Sequence, residues 1–174
     1  VRENFQRVAD LTDRFGLPNQ RIIVWKGSEK DDAGDVVGII REIVSWKQGS
    51  KLDYLRLACS LHKEPVRAIT ELNRLVQEVP DSVIIAIVGK SNGAGPTLSA
   101  ATTVPVITVP ASFKEFPDDV WSSLRGPSQT PVMMVLDQQN AALAALHILS
   151  ARNPYLYALL REKLEARFVN TLSF

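Results

Sequence analysis

The chain has 174 residues, with 20 lysines and arginines against 19 aspartates and glutamates, 45% hydrophobic and 22% charged. That is one globular domain's worth of chain with a core of its own, and a net charge of +1 gives no reason to expect nucleic acid or an anionic membrane as partner. One cysteine, Cys59, excludes an internal disulfide framework and fits a reducing compartment such as the cytosol, no apolar run reaches membrane-spanning length, and the N-terminus carries no signal-peptide pattern. The chain opens on Val1 in a charged helical pattern, so it reads as cut from a longer polypeptide.

Phe5, Val8, Leu11 and Phe15 share a helix face that Gly16-Leu17-Pro18 ends. Arg21 to Trp25 reads as the first strand, with Gly27 to Asp32 as the loop after it. Val36, Val37, Ile40, Ile43 and Val44 mark a helix ending near Gln48-Gly49. Tyr54 to Ala58 is the second strand and Ser60 to Lys63 its loop. Pro65 opens a helix whose apolar face carries Ile69, Leu72, Leu75 and Val76. Val83 to Val88 is mostly β-branched and wholly apolar, as a buried parallel strand is, and it empties into the polar loop Gly89-Lys90-Ser91-Asn92-Gly93-Ala94-Gly95-Pro96. That loop is no Walker motif, because Lys90-Ser91 precedes the later glycines.

Val104 to Val109 and Val132 to Leu136 are the fourth and fifth strands, with a short helix from Asp118 to Leu124 between them. Asn140 to Leu149 is alanine-rich and apolar nearly all round, which predicts a buried helix with His147 as a packing residue. Pro154 to Phe168 predicts a final amphipathic helix. Strand and helix alternate throughout, so the expected fold is a three-layer α/β/α sandwich on a parallel, flavodoxin-like sheet.

Loops that leave the carboxyl ends of parallel strands share one edge, where open α/β sheets bind ligands. The first three hold Ser28, Lys30, Asp31, Ser60, His62, Lys63, Ser91 and Asn92. Hydroxyls, ammonium groups and helix starts suit a phosphate dianion, a carboxylate suits ribose hydroxyls, and a lone imidazole can move a proton. Simpler readings compete. Asp31 and Asp32 are both ordinary N-caps, Lys63 an ordinary solvated charge, and the glycines an ordinary tight turn. Cys59 reads as a small buried hydrophobe, and two histidines with one cysteine assemble no metal cluster.

Four segments together resemble the 5-aminoimidazole ribonucleotide (AIR) carboxylase family, in the class II form joined to SAICAR synthetase in animals. Gly27-Ser28-Glu29-Lys30-Asp31 is similar to Gly-Ser-x-Ser-Asp, Ser60-Leu61-His62-Lys63 to Ser-Ala-His-Lys, and Gly89 to Pro96 to Gly-Arg-Ser-Asn-Gly-Leu-Gly-Pro. Asp119 to Arg125 matches a class II signature without a gap. The resemblance implies roles position by position. Ser28 and Ser60 bind the ribose 5′-phosphate, with Lys63 supplying charge and Lys30 a possible addition. Asp31 holds the ribose hydroxyls, with Asp32 competing for that place, and His62, paired with Lys63 in the catalytic loop, handles the proton at the imidazole carbon. Gly89, Lys90, Ser91, Asn92 and Gly93 form the substrate-binding loop around the CO2/carboxylate pocket.

Lys30, Leu61 and Ala100-Ala101 depart from the family pattern, and the helix after Asp32 looks longer than its norm. The resemblance further implies carboxylation of AIR with CO2 to 4-carboxy-AIR, needing no metal, cofactor or ATP, in a cytosolic homo-octamer. It makes residues 1–18 a linker helix from a fused SAICAR synthetase domain and 19–174 the carboxylase-like domain. Two other readings stand beside this one: a catalytically weak assembly module, and a generic phosphoribosyl-ligand binding domain. The apolar helix from Asn140 to Leu149, Trp121, Phe168 and Phe174 favour subunit contacts.

Overall fold

A computed structural model describes residues 16–44, 51–90 and 93–171. The expected helix through Phe5 and Phe15, the end near Gln48, Ser91, Asn92 and Phe174 lie outside the described residues. In chain order the elements are β1 (Gln20–Lys26), α1 (Gly34–Val44), β2 (Leu52–Ala58), α2 (Pro65–Glu78), β3 (Ser82–Val88), α3 (Ala94–Ala100) and β4 (Val106–Pro110). A 3-10 turn (Pro117–Val120) runs into α4 (Trp121–Leu124), and β5 (Met133–Met134), α5 (Gln138–Ser150) and α6 (Pro154–Thr171) follow.

The described strands pair in parallel in the order β2-β1-β3-β4-β5. The order reverses beside β1: the chain steps outward to β2, then back past β1 to β3. With right-handed crossovers that reversal sends α1 to one face and α2 to the other. Alternation along the strands feeds both faces. Ile22, Val24, Ile85, Ile87 and Val109 meet α1, α5 and α6, while Ile23, Trp25, Ile84, Ala86 and Val106 meet α2 and α3. β3 has every residue buried because it is covered on both faces, and that is why it is nearly all Val and Ile. No described helix is long and apolar enough to cross a membrane.

α3 lies unusually close to β4. A β-carbon added at Gly95 would come 1.9 Å from Thr108 Oγ1 and 2.9 Å from Thr108 Cβ, so only glycine lets the helix seat there. Thr108 is fully buried, its hydroxyl without a partner among the described residues.

The amino ends of the strands are closed by a polar network. Gln20 Nε2 donates to Asp81 Oδ2 at 2.7 Å and to the Leu149 carbonyl at 3.0 Å, and Gln20 Oε1 accepts from Asn153 Nδ2 at 2.9 Å. Asn153 Oδ1 caps α6 by accepting from Leu156 N at 3.0 Å, and Arg152 pairs with Asp81. Burial pushes the Asp81 carboxyl upward, but the Arg152 and Gln20 hydrogen bonds outweigh it and hold the group below its ordinary value. Beside this cluster Arg21, mostly buried, bridges Asp53 and Glu78.

The structure corrects the sequence expectations in several places. β4 begins at Val106, with Val104 buried in the bend before it, and β5 pairs over two residues only, leaving Leu136 exposed. The helix expected from Asp118 begins as the 3-10 turn at Pro117. α5 buries Ala141, Ala142, Ala145, Leu146 and Leu149 but exposes His147, which is therefore not a packing residue. α6 buries Tyr155, Leu156, Leu159 and Leu160 yet exposes Tyr157, Leu164 and Phe168, so its apolar residues are not confined to one face.

Candidate functional site

Strand register brings the first three loops together. Lys26, the last residue of β1, stands opposite Ala58 of β2 and Ile87 of β3, so the three chains leave the sheet at one level. Two further bonds extend the ladders into the loops: Cys59 N donates to the Lys26 carbonyl at 3.0 Å and Gly27 N to the Ile87 carbonyl at 3.1 Å. This is the topological switch point of the sheet, the place at which open α/β sheets bind their ligands.

The β1 loop folds on itself. Ser28 N donates to Asp31 Oδ2 at 2.8 Å, Asp31 N to the Ser28 carbonyl at 3.2 Å, and Lys26 Nζ to the Glu29 carbonyl at 2.8 Å. This separates the two adjacent aspartates. Asp32 Oδ1 accepts from Gly34 N at 2.9 Å and serves the start of α1. The Asp31 carboxylate turns back over the sheet edge, where β-carbons at Gly27 and Gly89 would lie 3.1 Å and 3.3 Å from its oxygens. Gln138 Nε2, at the start of α5, donates to the Asp32 carbonyl at 2.9 Å and ties the loop down.

The β2 loop is pinned from below. Leu61 is buried with Trp25 and Cys59, and Trp25 Nε1 donates to the Cys59 carbonyl at 2.9 Å. Glu64 N donates to the Ser60 carbonyl at 2.8 Å and Lys63 N to Ser60 Oγ at 3.3 Å, closing a turn before Pro65 starts α2. With Leu61 inward, His62 and Lys63 stand exposed at the head of α2. The leucine that departs from the family's alanine is thus the anchor of this loop. Cys59 is buried as expected; burial first, and the nearby Glu64 carboxylate second, push its thiol up, which disfavours the thiolate.

The β3 loop contributes Gly89, Lys90 and Gly93. Lys90 is exposed and its ammonium lies 5.0 Å from the Phe116 ring centroid. Ser91 and Asn92 lie outside the described residues. The structure therefore gathers Ser28, Lys30, Asp31, Ser60, His62, Lys63 and Gly89 at one edge. Lys30, His62 and Lys63 side chains have no hydrogen-bond or ion-pair partner among the described residues. An exposed imidazole, free ammonium groups and a carboxylate at a switch point suit a polar, anionic ligand and a proton transfer.

One residue was missed from sequence. Ser112, just beyond β4, has its hydroxyl 3.4 Å from where a Gly89 β-carbon would stand. The only signal was position: it is the first hydroxyl after a parallel strand's carboxyl end, as Ser28 and Ser60 are.

Comparison with known proteins shows the family. Residues 21–168 match the family model described as AIR carboxylase. The chain is 30% identical over 164 residues to the bifunctional phosphoribosylaminoimidazole carboxylase/phosphoribosylaminoimidazole succinocarboxamide synthetase of Rattus norvegicus, covering 92% of this chain and 37% of the rat protein. It is 28% identical over 134 residues to the phosphoribosylaminoimidazole carboxylase of Archaeoglobus fulgidus, covering 76% of this chain and 71% of that one. In fold it is similar to the crystal structure of Treponema denticola PurE, with a TM-score of 0.76 and 24% identity over 88% of this chain and 94% of that chain. The chain spans little more than a third of the animal relatives it matches, 36% in one case and 37% in another.

Proposed function

The chain belongs to the AIR carboxylase family, and from that premise we propose that it joins CO2 reversibly to 5-aminoimidazole ribonucleotide, giving 4-carboxy-AIR for purine biosynthesis. The observation that carries the reading is the convergence of the β1, β2 and β3 loops at the switch point, with His62 and Lys63 exposed on the β2 loop and the Asp31 carboxylate turned back over Gly27 and Gly89. The aminoimidazole ring is enamine-like. Its C4 attacks CO2, the new carbon–carbon bond forms, and the C4 proton must then leave; neither ATP nor an electron acceptor enters that balance. His62 takes the proton. Ser28, Ser60 and Lys63 hold the phosphate, with Lys30 as a further cation, and Asp31 holds the sugar. Gly89, Lys90, Ser91, Asn92 and Gly93 bound the carboxylate pocket. Fixing phosphate and ribose on rigid strand ends positions C4 against CO2, which is the larger part of what a reaction between a neutral gas and a carbon nucleophile needs.

In this reading residues 1–18 link the domain to a SAICAR synthetase domain in a longer cytosolic protein, residues 19–174 are the carboxylase unit, and the assembly is a homo-octamer. Exposed apolar side chains on β5 and the segments next to it in the chain, Phe116, Trp121, Leu124, Met133 and Leu136, support association. The same surface favours the second reading, an assembly module with a weak site. Decarboxylation of 4-carboxy-AIR by the purified chain separates the two. Turnover that depends on His62 supports the enzyme; an assembled protein with none leaves the module.

A further inference from the structure

Resting on the carboxylase reading of the same site, we propose that Gln138 is a positioning residue: from the start of α5 it sets the β1 loop so that the Asp31 carboxylate meets the sugar hydroxyls. The loop is otherwise held by its own length of chain. Ser28 N donates to Asp31 Oδ2 at 2.8 Å, Asp31 N to the Ser28 carbonyl at 3.2 Å, and Gly34 N to Asp32 Oδ1 at 2.9 Å. Lys26 Nζ, on the strand the loop leaves, donates to the Glu29 carbonyl at 2.8 Å. Such bonds give the loop its shape but do not tie it to the rest of the domain. Among the described residues, the hydrogen bond from Gln138 Nε2 to the Asp32 carbonyl, at 2.9 Å and across 106 positions of sequence, is the one that reaches residues 28–32 from outside residues 26–34. The far end of that bond is fixed. Asp137 Oδ1 caps α5 by accepting from Asn140 N at 2.8 Å, and Ala141, Ala142 and Ala145 are fully buried just beyond.

The bond is kept at the expense of another group. Gln138 Oε1 is buried and has no hydrogen-bond partner among the described residues. Turning the amide over brings no relief, since Oε1 would then face the Asp32 carbonyl, acceptor against acceptor. A buried acceptor left unpaired destabilises a fold, whereas Asp32 lies exposed and its carbonyl, once released, bonds water. The contact therefore adds little to stability, and the orphan oxygen subtracts from it. What the contact supplies is position. Asp32 follows Asp31 directly, so fixing the Asp32 carbonyl fixes where the neighbouring carboxylate starts, and groups that bind a ligand must be held to about 0.5 Å.

Two variants test this. Gln138→Met keeps the length of the side chain and removes both the donor and the orphan acceptor; Gln138→Glu keeps the shape and removes the donor alone. Each is compared with the unmodified chain by thermal unfolding, by the kinetics of 4-carboxy-AIR decarboxylation, and by calorimetric binding of 5-aminoimidazole ribonucleotide and of its 2′,3′-dideoxy analogue. Gln138→Met is expected to unfold at the same temperature or a higher one, yet to raise KM about threefold to tenfold with kcat within about twofold, the worth of one hydrogen bond that serves ground and transition states alike. Both variants should weaken the ribonucleotide by a similar factor and leave the dideoxy analogue within about twofold, because a sugar without hydroxyls does not engage Asp31. An unchanged KM, equal weakening of both ligands, or failure of both variants to fold overturns the positioning role and leaves the carboxylase reading standing. An unmodified chain that neither binds the ribonucleotide nor turns over 4-carboxy-AIR overturns the carboxylase reading itself, and the positioning role with it.

Discussion

At the amino ends of the strands, Gln20, Asp81, Arg152 and Asn153 bond one another and the chain; at the carboxyl ends, Lys30, His62 and Lys63 stand exposed with no partner among the described residues. The same sheet supports both ends, so the difference is not one of strand quality. Closing the first edge fixes where β1, β3 and α6 begin relative to one another. It thereby fixes the level at which the strands release their loops at the second edge. Polar groups that satisfy each other add stability and rigidity; polar groups kept apart are available to a ligand.

Substitutions at the two edges should therefore separate into different observables. The largest effect is expected for His62→Asn, with turnover down by roughly two to four orders of magnitude and stability within about 0.5 kcal/mol, read by decarboxylation kinetics and thermal unfolding. Near-normal turnover would remove the imidazole from the mechanism. Asn153→Ala is the converse: it strips the Gln20 carbonyl oxygen and the Leu156 amide of their partners, and should cost about 2–3 kcal/mol while leaving nucleotide affinity alone. A matching loss of affinity would show the edges to be coupled. Lys63→Ala should weaken phosphate-bearing ligands by about 1.5–3 kcal/mol and leave the free base unaffected. Equal binding of the nucleotide by variant and parent would place the phosphate elsewhere.

The smallest effect expected is a pH dependence at the closed edge. The Asp81 carboxyl is held below its ordinary value of 3.8. Its contribution to stability is complete above that value and is lost as the pH falls through the lower, folded one. Asp81→Asn should flatten the acid limb of stability against pH there, measured by denaturant unfolding. An unchanged limb would mean that Arg152 and Gln20 do not hold the charged form.

Legibility from sequence followed how local each signal was. The β3 run and its loop were readable because a strand buried on both faces must be β-branched, and such a run is short and unbroken. The Ser60–Lys63 loop was readable from order along the chain, although Leu61 acting as its buried anchor was not. Asp31 and Asp32 could not be told apart: they are neighbours with the same chemistry, and the bond from Ser28 N to Asp31 distinguishes them only in three dimensions. Ser112 escaped because its place depends on where β4 ends, and the two-residue shift in that strand's start shows how weakly valines and prolines mark such bounds. His147 was misplaced because an alanine-rich helix looks apolar all round, whereas small residues can leave one flank open to solvent.

The bond from Trp25 to the Cys59 carbonyl also makes the β2 loop visible to light. The indole is fully buried, and its one polar atom is tied to the residue preceding Ser60. Its emission should be blue-shifted and shielded from iodide, in contrast to the half-exposed Trp121. In a Trp46→Phe, Trp121→Phe background the remaining fluorophore is bonded to the residue next to Ser60, a proposed phosphate contact. Ligand arrival and loop release could then be timed by stopped-flow fluorescence, with no label attached.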